Sequence, residues 1–94
     1  MVLMIDNVKK GLEMLGRHVR VMRLLADHGP LGIVKLSKIT EIPDQQVRYS
    51  LRILQQSGFI QPTTKGAEMN MKGYRFLKDF DIEKKKLNEK MGRL

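Results

Sequence analysis

Apolar side chains at Met1, Ile5, Val8, Leu12, Leu15, Val19, Met22 and Ala26 alternate in steps of four and three, the seam of an amphipathic helix. Asp6 or Asn7 suits the start of that helix as a cap. Gly29-Pro30 ends it, with His28 in the last turn where a cation complements the helix dipole. Gly11 and Gly16 lie inside and each costs about 1 kcal/mol against alanine. The segment is therefore one long helix or two helices broken near Gly16. Leu31-Gly32-Ile33 reads as a short extended stretch, and Val34, Leu36 and Ile39 set the spacing of a brief helix to about Thr40. Glu41-Ile42-Pro43-Asp44 interrupts it, because proline disfavours helix for the residue before it and suits the first turn of a helix after it.

The next helix spans 44–57 on Val47, Leu51 and Leu54, with Ile53 flanking, and stops at Gly58. Residues 59–63 are β-like, and Pro62 confines them to an edge or a strand end. Thr64-Lys65-Gly66 supplies a turn, after which Ala67-Glu68-Met69 returns as a second strand. Asn70 is placed to cap a last helix from Met71 to about Met91, patterned by Leu77, Phe80, Leu87, Met91 and Leu94 and broken by Lys84. The expected fold is mainly α with a small β-hairpin, in the order of a winged helix-turn-helix with extended N- and C-terminal helices. No repeat or low-complexity segment appears, and 1–94 reads as one domain. It comprises an N-terminal helical segment at about 1–28, the helix-turn-helix and wing at 31–70, and a C-terminal helix at 71–94.

Composition narrows the chemistry. With no cysteine, disulfides, thiolate metal sites and a cysteine nucleophile are excluded. His18 and His28 are ten residues apart without a partner at ligand spacing, and both read as surface or helix-end residues. Gly-rich phosphate loops, nucleophile elbows and His-Glu-x-x-His are missing, and the carboxylates are scattered. Neither an enzyme nor a metal or cofactor is expected. The apolar opening is far too short to span a bilayer, and Lys9 and Lys10 follow it, where a signal peptide would carry its charges first. No membrane partner is expected, and the chain reads as soluble and cytoplasmic. A formal net charge of +8 on 94 residues favours a polyanionic partner.

The run Val47-Arg-Tyr-Ser-Leu51-Arg-Ile-Leu54-Gln-Gln-Ser-Gly58-Phe-Ile60 resembles the recognition-helix signature of winged-helix repressors of the arsenic-repressor and multiple-antibiotic-resistance repressor type. Asn70-Met-Lys-Gly73-Tyr-Arg-Phe-Leu77 resembles the opening of the helix that follows their wing. The whole is most similar to small archaeal transcription regulators, over roughly residues 16–80. The resemblance implies double-stranded DNA as partner and regulation of transcription as function. The wing is short, with Lys65 its only basic residue, and no metal-sensor ligand set is matched.

On that fold Gln45, Gln46, Arg48 and Tyr49 occupy the N-terminal half of the second helix, the part that meets base edges. Glutamine pairs bidentately with adenine and arginine with guanine. Arg52 lies one turn later, better placed for phosphate, and Lys35, Ser37, Lys38 and Lys65 are further phosphate candidates. The competing reading is a plain solvated face of good helix formers. The seven methionines read mainly as core and seam fillers, and Lys84-Lys85-Lys86 as a solvated face or a contact to flanking DNA. Both terminal helices carry more apolar seam than a domain of this size needs. A homodimer would bury it, through Val8, Leu12, Leu15, Leu77, Phe80, Leu87 and Met91. The alternative is a winged-helix protein-interaction or assembly module without sequence-specific DNA binding. RNA binding is weaker, because no aromatic platform stands on a sheet face.

Overall fold

The computed structural model describes residues 2–93; Met1 and Leu94, the outermost positions of the two terminal seams, lie outside it. Its elements run α1 (Val2–His28), α2 (Ile33–Thr40), α3 (Asp44–Gln56), β1 (Ile60–Thr63), β2 (Gly66–Met69) and α4 (Met71–Gly92). This is the element order of a winged helix-turn-helix.

α1 is one unbroken helix, which settles the alternative left open at Gly16, and it starts at Val2 rather than at an Asp6 or Asn7 cap. Once later turns exist, adding a turn is cheap while nucleating a second helix is not, so two glycines do not divide it. Val19, Val21, Met22 and Leu25 bury the C-terminal half of α1. With Leu31, Leu36, Val47, Leu54, Ile60, Met69 and Leu77 they form the core.

The turn between α2 and α3 is held by side chains. Thr40 Oγ1 donates to the Leu36 carbonyl at 2.6 Å and accepts the Ile42 N–H at 3.1 Å. Ser37 Oγ donates to the Ile42 carbonyl at 2.6 Å. Glu41 ends α2 in the left-handed region at φ 59°. The Pro43 carbonyl then accepts the Gln46 and Val47 N–H groups and starts α3.

The hairpin is antiparallel, pairing Ile60 with Met69, Gln61 with Glu68, Pro62 with Ala67 and Thr63 with Gly66. Of the expected extended stretch before α2, Leu31 alone pairs: its N–H and carbonyl bond Ala67 at 3.1 and 2.9 Å, while Ile33 already belongs to α2. Asn70 caps α4 as expected, its Oδ1 accepting the Gly73 N–H at 2.9 Å and its Nδ2 donating to the Gly58 carbonyl at 2.8 Å. Arg23 and Asp81 join α1 to α4 through two bonds of 2.5 and 3.2 Å.

The expected dimer seam divides. Val8 and Leu12 are more than half exposed, Leu15 is 37% exposed, and Leu87 and Met91 are exposed on α4. Leu77 instead lies in the domain's own core, and Phe80 packs against it beside Phe76. Those two side chains already have partners within the chain, so the outer seam consists of the other five.

Candidate nucleic-acid interface

α3 is amphipathic across its whole length. Val47, Ser50 and Leu54 are buried, while Gln45, Gln46, Arg48, Arg52, Gln55 and Gln56 are exposed. The expected polar face is therefore present, but two shallow grooves split it. The first is lined by Ile33, Gln45, Arg48, Tyr49, Leu51, Arg52, Gln55 and Gln56. The second, between α3 and α1, is lined by Glu13, Gly16, Arg17, Arg20, Ile42 and Gln46. Gln45 and Gln46 are about 100° apart around the helix, which sends the neighbouring amides to opposite flanks.

Tyr49 is half-buried rather than fully outward. Its ring lies 6.0 Å from the His18 ring, and the Arg52 guanidinium sits 5.5 Å from its centroid. The stack holds Arg52 along the helix by cation–π attraction and limits the conformations it has to lose on binding.

His18 is not the plain surface residue its sequence context predicts. Its Nδ1 is hydrogen-bonded to the fully buried Ser50 Oγ at 2.7 Å, which fastens α1 to α3. Burial, and then the nearby Arg17 charge, push its pKa below the ordinary value. One signal for this contact was available: Ser50 sits between Val47 and Leu54 on the apolar side of α3, and a buried hydroxyl requires a partner.

The phosphate candidates separate in the same way. Lys35 and Lys38 are exposed on α2, and Lys65 is exposed at the hairpin turn. There the Thr63 Oγ1 accepts the Lys65 N–H at 3.1 Å. Ser37 differs: its hydroxyl hydrogen is taken by Ile42, so it positions the helix-turn-helix rather than offering a donor outward. Among the described residues the ion pairs are Arg23–Asp81 and Lys86–Glu83. Arg48, Arg52, Lys35, Lys38 and Lys65 take part in neither. Arg17, Arg20, Gln55 and Gln56, which sequence reasoning did not single out, join this surface. The one available signal for the arginines was their spacing of three, which puts both on one face of α1.

Among the described residues, no three His, Cys, Asp or Glu side chains gather as a metal ion would require. None of their helices is long and apolar enough to cross a membrane. No protein-family model matches the chain, and no curated protein sequence matches it.

Proposed function

We propose that this protein binds double-stranded DNA in a sequence-specific manner and regulates transcription, with α3 in the major groove. The observation that carries the reading is the exposed N-terminal half of α3. Gln45 and Arg48, with Arg52 one turn on, share one groove and form no internal ion pair. Side chains with forked donors that no internal carboxylate engages suit recognition of base edges. Lys35, Lys38 and Lys65 flank that helix from α2 and the hairpin turn and serve the phosphates, while Ser37 acts on the turn. The net charge of +8 supplies a sequence-independent attraction to the duplex.

A specific observation also supports the homodimer. Ile5, Val8 and Leu12 are 57–62% exposed along one face of the free half of α1, an apolar patch of the kind that marks an interaction surface. Its heptad spacing suits a second copy of the same helix. The same patch favours a second reading, an interaction module whose partner is another protein.

Titration of the full chain against mixed-sequence duplex DNA over a range of salt concentrations tests the function. Binding should weaken with salt at a log–log slope of about −0.9 per phosphate contact. Arg48→Ala should lose about 1–3 kcal/mol at a selected site, and Arg52→Ala should weaken all sequences alike. Absence of measurable binding at low salt overturns the reading in favour of the interaction module.

A further inference from the structure

We infer that Arg17 and Arg20 of α1, with Gln46 of α3, form a second phosphate-contacting flank that clamps one DNA strand beside the reading helix. The inference rests on α3 entering the major groove, and names contacts on an element outside the helix-turn-helix. A helix is about 10–12 Å across with its side chains, and the major groove is about 12 Å wide. A helix lying in it therefore has a phosphate strand along each side. On one side of α3 lie Gln45, Arg48 and Arg52. On the other lies α1, with Arg17, Arg20 and Gln46 lining a common groove.

α1 is tied to α3 beside this groove. The His18–Ser50 bond of 2.7 Å and the Tyr49 ring against His18 fasten α1 to α3 at the residue adjoining Arg17. Arg20 follows three positions later on the same face. Glu13 is the carboxylate on this groove, and it forms no ion pair with either arginine. Both guanidiniums are thus available to an outside anion, and their planar forks match the oxygens of a phosphate. Arg23, one further turn along α1, is already committed to Asp81 and marks the end of this flank.

The test uses the full chain and mixed-sequence duplex DNA at several salt concentrations. Arg17→Ala/Arg20→Ala should reduce the magnitude of the log–log salt slope by about 1.8, and lower affinity by the same factor for every duplex. Arg20→Ala alone, at an exposed position, should reduce it by about 0.9 without disturbing the fold. Arg17→Lys/Arg20→Lys should keep most of the slope. If the parent binds DNA and both alanine variants match its slope and affinity, the α1 flank is wrong while the α3 reading stands. If the parent does not bind at all, both fall together.

Discussion

At the residue scale, the His18–Ser50 bond joins folding to the candidate interface, because it fastens α1 to α3. Ser50 is fully buried, and its hydroxyl is bonded to an imidazole from another element. Burial and the Arg17 charge lower the His18 pKa from its ordinary 6.5, so the folded protein holds the ring neutral more firmly than the unfolded chain does. Between the lowered value and 6.5 the unfolded state binds more protons, and stability therefore rises with pH in that window. It is complete above 6.5 and is lost as pH falls through 6.5 toward the folded value. The thermal midpoint should drop between about pH 7.5 and about pH 5.5. His18→Gln should remove that part of the slope, because an amide keeps a hydrogen-bonding group at the site without titrating there. A parent whose midpoint is flat across the window, or a variant as pH-sensitive as the parent, would refute the assignment.

At the element scale, two glycines let the hairpin and α4 seat against the helices. Gly66 has φ +124°, and a Cβ there would collide with the carbonyl carbon of Leu31, across the rung that ties the segment before α2 to β2. Gly73 is buried in the first turn of α4, where a Cβ would meet the Phe59 carbonyl oxygen and approach the Met69 sulfur at 2.9 Å. Gly66→Ala and Gly73→Ala should each destabilise by about 1–3 kcal/mol in denaturant unfolding. Gly16→Ala, with nothing within 4 Å of the new methyl, should stabilise by up to about 1 kcal/mol. Equal effects at all three positions would remove the argument from close approach. The stops and starts around these elements were legible in sequence because they are local chemistry: Pro43 before α3, Gly58 after it and the Asn70 cap act within a few residues. Contacts between elements were not. Ser50 meets a histidine 32 positions away, and the Ser37 donor is satisfied only once the turn to Ile42 closes. The split of Gln45 from Gln46 likewise depends on α1 lying against one flank of α3, and no local pattern records that.

At the scale of the molecule, the shape is elongated, which fits the proposed dimer. A compact domain of this length has a radius of gyration of about 12 Å, whereas this chain has 14.6 Å and measures 47 × 27 × 22 Å. The excess comes from the N-terminal half of α1 and the C-terminal half of α4, which extend beyond the core with Val8, Leu12, Leu87 and Met91 all more than half exposed. A two-fold axis along this surface would bury the α1 seam against its own copy. It would also set two α3 helices to read half-sites about 34 Å apart. The parent should therefore elute from gel filtration at micromolar concentration as twice 10.9 kDa. Val8→Glu/Leu12→Glu, outside the core, should convert it to a single chain that keeps its folded core. It should retain weak binding to one half-site and lose the preference for paired half-sites that a dimer confers. A parent that runs as one chain would assign the patch to a different protein, and a charged variant that remains dimeric would move the axis away from α1.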